Sequence, residues 1–191
     1  MQEKFKNKYT IKSARLEGYD YSQNGMYFVT ICTKNREEFF GEIVDGKMVL
    51  NKIGKIAEEC WKGIPDHFPF IVLDEFVVMP NHVHGIIEIC KNDINMAMRR
   101  DAINRVSTGG ITGKNNPMNN PYSLSKIIRW YKGRCSFEIN HIGQTMNFAW
   151  QPRFYDHIIR DDESLNKIRE YIKINPEMWH RDRNNAENVF M

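Results

Sequence analysis

Apolar and polar positions alternate along some stretches of the chain and recur with a helical period along others. Residues 26–33, MYFVTICT, are aromatic and β-branched and read as a strand. In residues 41–50, Asp45-Gly46 marks a hairpin between two short extended pieces. Asn51 is placed to cap a helix running to about Trp61, with Ile53, Ile56, Ala57 and Cys60 on one face. Residues 70–79, FIVLDEFVVM, form a strongly apolar strand that Pro80-Asn81 interrupts, and residues 82–90, HVHGIIEIC, read as its hairpin partner. Ser123 or Ser125 starts a helix to about Glu138. Residues 153–159, RFYDHII, alternate as a strand does, and Asp162 caps a final helix that ends near Pro176. Strand, helix, two strands, helix, strand and a last helix make the split βαβ, ferredoxin-like pattern. The expected fold is α+β: an antiparallel sheet with helices on one face, plus a C-terminal catalytic helix.

Between the second hairpin and the helix at Ser123 the periodicity fails. The stretch STGGITGKNNPMNNP has the composition of a mobile loop. The 191 residues therefore read as a single domain spanning 1–191, with a flexible insertion at about 91–121. The four cysteines form no CxxC pair, and no apolar run approaches the roughly 20 residues of a membrane span. A reducing cytoplasm is the expected setting, with no membrane partner. Net charge is only +3, but eight Lys and Arg stand against one acid between Arg99 and Arg134. A second basic cluster comprises Lys4, Lys6, Lys8, Lys12 and Arg15. Such local excess suits a phosphate backbone, although a solvated face has the same composition.

Two features carry chemistry. On a strand, His82 and His84 point the same way while Val83 points to the other face, so two imidazoles form half of a metal site. Two surface histidines on an edge strand would show the same spacing. In the last helix, DESLNKIREYIKIN, residues Leu165, Ile168 and Ile172 form the buried stripe. Tyr171 lies to its side, and Asn175 follows one turn later on the same flank. Tyr171 is equally readable as a core aromatic, and Asn175-Pro176 as a helix stop.

The segments VVMPNHVHGIIEI and WQPRFYDHIIRDDESLNKIREYIKINP closely resemble the REP-associated tyrosine transposases of bacteria, the single-tyrosine branch of the HUH nucleases. YFVTICTKNR and SLSKIIRWYKGR resemble that family too, and the likeness runs from about residue 9 to 178. The resemblance implies that His82 and His84 are metal ligands and that Tyr171 is the nucleophile. It puts Asn175 where relatives carry a third ligand, Gln in some. It also implies a 5′-phosphotyrosine intermediate with a free 3′-OH, and a target of single-stranded or hairpin-forming palindromic DNA. Relatives include monomers and homodimers, so the oligomeric state stays open. Nucleoid association in the bacterial cytoplasm follows from the DNA partner.

A phenol with pKa near 10 is a poor nucleophile at neutral pH, and a nearby cation lowers that cost. Two imidazoles and an amide oxygen suit Mg²⁺ or Mn²⁺, Mn²⁺ tolerating imidazole better. On the helix from Ser123, Lys126, Arg129 and Lys132 fall on one side, with Arg134 close by, opposite Leu124, Ile127, Ile128 and Tyr131. These four cations are the expected DNA contacts, with Trp130 at the boundary as a base-stacking or a core residue. The expected activity is nicking and rejoining of single-stranded DNA. A rolling-circle HUH nickase, a non-catalytic DNA-binding protein and an unrelated metal hydrolase remain as alternatives.

Overall fold

The computed structural model describes residues 16, 18–91, 120–142 and 148–185. The basic cluster near the N-terminus, the cations at 99–114 and nearly all of the expected insertion at 91–121 lie outside the described residues. Six strands and four helices occupy the rest: β1 (Gly25–Cys32), β2 (Gly41–Val44), β3 (Lys47–Leu50), α1 (Lys52–Lys62), α2 (Ile64–His67), β4 (Ile71–Val78), β5 (His82–Ile89), α3 (Leu124–His141), β6 (Tyr155–Ile159) and α4 (Asp162–Ile174). No helix among the described residues is long and apolar enough to cross a membrane.

Four strands form one antiparallel sheet in the order β4-β5-β1-β6, the order of a ferredoxin-like split βαβ fold. β2 and β3 pair separately around Asp45-Gly46. Both of those residues take positive φ, 50° and 72°, the conformation that a two-residue hairpin of matching twist requires.

Local chemistry sets the helix boundaries. The Asn51 side chain accepts hydrogen bonds from the backbone N–H groups of Ile53 and Gly54 at 2.8 and 3.0 Å, a cap worth about 1 kcal/mol. Ser123 caps α3 by accepting from the Lys126 N–H at 3.3 Å. The cap of α4 is Asp161, one residue before the expected Asp162; its carboxylate accepts from the Ser164 N–H at 2.7 Å, while Asp162 is already helical. Two adjacent aspartates carry equal capping propensity, and the one with extended backbone takes the role.

The sheet is covered on both faces, and the pleat of its two central strands sorts the side chains between them. Tyr27, Val29, Ile31, Val83 and Ile87 face α1 and α3, where Trp61, Ile127, Ile128 and Tyr131 complete the larger core. Phe28 and Ile86 face α4 and pack with Leu165 and Ile172 in a smaller core. α4 is also tied to the edge of the sheet. A register shift in β4 between Leu73 and Phe76 accompanies the exposure of Asp74 to α4, and Arg169 grips its carboxylate through two nitrogens at 2.8 and 2.5 Å.

Gly85 is where the larger core comes closest to the backbone of β5. A Cβ there would stand 2.2 Å from Cζ2 of the fully buried Trp61. A rigid indole cannot yield that distance, so Gly85→Ala is expected to lower the unfolding free energy by about 1–3 kcal/mol in urea denaturation. Trp61→Leu in the Gly85→Ala background should recover part of the loss that the two changes would cost separately; simple additivity would refute the clash.

Candidate active site

β5 delivers the two histidines. His82 and His84 share the face of the sheet that α4 covers, and both are fully buried. Their ring centroids are 4.4 Å apart. Each imidazole is held through Nδ1, leaving Nε2 for the interior of the site. His84 Nδ1 is 2.9 Å from the hydroxyl of Thr30 on the neighbouring β1. His82 Nδ1 is 2.9 Å from Asn81 Oδ1.

The second contact decides a tautomer. The Asn81 amide nitrogen donates to the carbonyls of Arg36 and Asn184 at 3.0 and 2.9 Å, so the nitrogen end of the amide is assigned by its two acceptors. Oδ1 must then accept, and His82 carries its proton on Nδ1. The lone pair of His82 Nε2 is left bare, and that atom is buried without a hydrogen-bond partner. An orienting partner on one imidazole nitrogen with the other nitrogen free is the arrangement of a metal-binding histidine.

α4 brings the phenol. Tyr171 is 38% exposed, and its hydroxyl lies 3.2 Å from His84 Nε2. Its ring packs edge-on to Phe28 at 6.1 Å, so the smaller core orients it from below. One turn later Asn175 is buried, as the spacing requires, and its amide nitrogen donates to Asp182 Oδ2 at 3.2 Å. Asn175 Oδ1 is buried with no hydrogen-bond partner. The helix does end here: Asn175 is the C-cap, and a further turn runs through Pro176 to Met178, whose N–H donates to the Ile174 carbonyl at 3.1 Å.

Asp182 escaped the sequence reading. After α4 the chain makes a 3-10 turn at Trp179–Arg181 and runs back to the N-terminal end of β5. Asp182 and Asn184 point inward and Arg183 outward. One ligand atom from each of His82, His84 and Asp182 fits within a set no more than 4.8 Å across, and all three residues are buried. A lone aspartate in an aperiodic tail gives no local signal; the only hint is an acid among bases shortly after the tyrosine helix.

The environment keeps the imidazoles neutral. Burial, with the charges of Arg183 and Arg36 added, pushes His82 down to about 3. Burial and then the proximity of His82 hold His84 well below its ordinary value. Tyr171 is pushed up by burial first and the Asp182 carboxylate second, while the Asn175 amide pulls the other way. The phenol is therefore not activated by the protein alone.

The donor set fits a divalent cation. Two neutral imidazoles and the Asp182 carboxyl converge, and His82 Nε2 lacks any other partner, whereas Asn175 turns its amide nitrogen rather than its oxygen toward Asp182.

The expected DNA contacts on α3 stand elsewhere. α3 packs on the face of the sheet opposite the histidines, so its outer side is a separate layer. Lys132 turns inward, donating to the carbonyls of Gln151 and Arg153 at 2.7 and 3.0 Å, and burial pulls its ammonium down to about 8. Arg134 is paired with Glu138 at 2.5 Å. Arg129 is exposed and Lys126 half-buried. Trp130 stacks on His67, with centroids 4.5 Å apart and planes at 12°, at the lip of a groove of about 570 Å³ between α1, α2 and α3.

No family model matches the chain. A Haemophilus influenzae protein without a functional name is 37% identical over 174 residues, 90% of this chain and 91% of its own length. A second H. influenzae protein, provisionally named a REP-associated tyrosine transposase, is 26% identical over 158 residues, 82% of this chain and 73% of its own. A solved REP-associated tyrosine transposase bound to a REP hairpin shares the fold with a TM-score of 0.54 at 19% identity, over 85% of this chain and 72% of that one. The chain shares the fold of that solved transposase. In sequence and in fold the chain is thus similar to proteins described as REP-associated tyrosine transposases.

Two outcomes follow for the metal-free protein. Nitrogen-15 NMR of the histidine side chains at pH 7 should show His82 neutral with its proton on Nδ1. Because folded His82 refuses a proton until about pH 3 and the unfolded chain takes one near 6.5, its neutrality stabilises fully above 6.5. That stability is lost progressively as pH falls through the interval. Asn81→Ala, which strips the partners from His82 Nδ1 and two carbonyls, should cost about 2–4 kcal/mol in urea denaturation. A protonated Nε2 in the wild-type protein would overturn the tautomer assignment.

Proposed function

We propose that this protein is a transposase-type DNA strand transferase, which nicks and rejoins single-stranded DNA through a 5′-phosphotyrosine on Tyr171. The observation that carries the reading is the position of the Tyr171 hydroxyl, 3.2 Å from His84 Nε2, at a site where His82, His84 and Asp182 gather and His82 Nε2 is buried without a partner. A structural tyrosine would not need such neighbours.

His82, His84, Asn175 and Asp182 would hold the cation, Mg²⁺ or Mn²⁺. Bound there, it supplies positive charge that offsets the cost of a phenolate and polarises the scissile phosphate. Tyr171 gives up its proton to solvent through its exposed side, and its oxygen attacks phosphorus. The phosphorus–O3′ bond breaks, and the departing 3′-oxygen is protonated by water. One phosphodiester has been exchanged for another, so a second 3′-OH can attack the phosphotyrosine and rejoin strands without an external energy source. Smaller roles follow from position. Thr30 and Asn81 orient the imidazoles, and Phe28 holds the Tyr171 ring.

The proposed target is a single strand or a hairpin-forming palindrome, in line with the hairpin that the related solved transposase binds. Lys126 and Arg129, on the far layer, would meet the phosphates of a folded DNA that extends around the sheet. Lys132 and Arg134 are engaged within the protein and would contribute less.

Tyr171→Phe should abolish the covalent band formed with labelled single strands while leaving their affinity within about twofold of wild type. An adduct that survives in the Phe variant would move the nucleophile, with Tyr155 the next phenol to test. Calorimetry with Mn²⁺ checks the ligands. His82→Ala should lose roughly 10-fold or more in affinity and Asp182→Asn a comparable amount, whereas Asn175→Asp should gain, because hard cations favour charged oxygen. Unchanged affinity in all three would remove the cation from this site.

A further inference from the structure

The sheet face that carries the histidines is not wholly covered by α4. On the edge strand β6, Tyr155 pairs across β1 with Thr30, and Thr30 pairs with His84 on β5. Cross-strand partners project to the same face, so Tyr155, Thr30 and His84 form one row across three strands. Two strand spacings separate its ends by about 10 Å. At one end His84 touches the Tyr171 hydroxyl. At the other, the Tyr155 ring is 40% exposed on the open part of the face.

That ring has a cation against it. The Arg183 guanidinium lies over it, 5.3 Å from its centroid. Arg183 is placed there by its backbone, because its carbonyl accepts from Arg36 at 2.7 Å while Asp182 and Asn184 on either side point inward. Within one row the fold thus offers the nucleophile, its histidine partner and an exposed aromatic face with a cation. An aromatic surface flanked by a guanidinium is the chemistry that holds an unpaired nucleotide: the ring stacks on the base, and the cation meets the phosphate.

We infer that Tyr155 and Arg183 form a positioning platform for one unpaired nucleotide flanking the scissile phosphate, so that the strand is threaded along the row Tyr155, Thr30, His84 toward Tyr171. The inference rests on the strand-transferase reading of the same site. It assigns Tyr155 a role in holding DNA rather than in attacking it, and needs no contribution from α3. The ordinary alternative is that Arg183 rests on Tyr155 only to anchor the C-terminal segment.

Binding without cleavage separates the two. Fluorescence anisotropy with a labelled single strand of roughly ten nucleotides, in chelator, reads affinity alone. Tyr155→Val keeps a strand-forming side chain and should weaken binding about 5- to 100-fold, whereas Tyr155→Phe should stay within about twofold. Arg183→Gln should lower the salt slope by about 0.7. The position-specific readout is an abasic site walked along the oligonucleotide. Wild type should lose affinity when one position is abasic, and Tyr155→Val should be indifferent to that same position. A purely structural role would lower the melting temperature of Tyr155→Val and leave the abasic profile unchanged, which overturns the platform. If wild type binds and both Tyr155→Val and Arg183→Gln match it in affinity, the platform alone fails. If wild type binds no single strand at all, the strand-transferase reading fails with it.

Discussion

The period of two along β5 is the constraint on which the site depends. β5 is a central strand, and its odd positions, Val83, Gly85 and Ile87, must enter the larger core, where Trp61 leaves room for no side chain at position 85. Once that face is committed, His82 and His84 have no alternative to the other face. A slip of one residue would place both imidazoles against Trp61 and send Val83 into the site. The register is thus specified by packing on the side where no chemistry occurs. The site inherits its geometry from a core on the far side of the backbone.

Burying two imidazoles is costly unless their nitrogens are answered, and the protein answers one nitrogen on each. Asn81 and Thr30 take the Nδ1 positions. The same burial that depresses both histidines raises the phenol, so at neutral pH the phenol keeps its proton and the imidazoles carry no charge. A neutral imidazole is the form in which histidine accepts a cation. The Arg36 and Arg183 charges act in one sense on the imidazoles, while Asp182 brings the one buried negative group of the cluster and so the natural complement to a cation.

What could be read from the chain is what local periodicity encodes. The shared face of His82 and His84 follows from the pleat, and the common flank of Tyr171 and Asn175 follows from a spacing of four on a helix; both are visible without knowing the fold. The strand and helix order likewise led to the ferredoxin-like sheet that the structure shows. Long-range placement was not legible. Nothing in α3 tells which face of the sheet it will cover, so the placement of its cations in the layer opposite the histidines could not be read from the chain. Lys132 sits among the outward cations of a helical wheel, yet two carbonyls outside the helix draw it in. Asp182 depends on a turn after Pro176 that reverses the chain, and the residues of that tail have neither period nor apolar stripe. Asn81 looked like a strand breaker because its neighbour is Pro80; its amide has a larger part, joining β5 to two distant carbonyls.

The tail that eluded the sequence also explains how the site is assembled from separate stretches of the chain. Asp182 enters the ligand cluster, Arg183 leaves it for the edge of the sheet, and Asn184 returns to accept from Asn81 through its backbone carbonyl. Three consecutive residues therefore reach three different parts of one functional surface by simple alternation. Their position is fixed from below by the same Asn81 amide that sets the tautomer of His82. Any change that loosens this segment must act on the histidine and the carboxylate together, since one side chain orients the first and anchors the second. The polar half of the site is for that reason a cooperative unit, mounted on an apolar half that includes Phe28, Ile86 and Ile172.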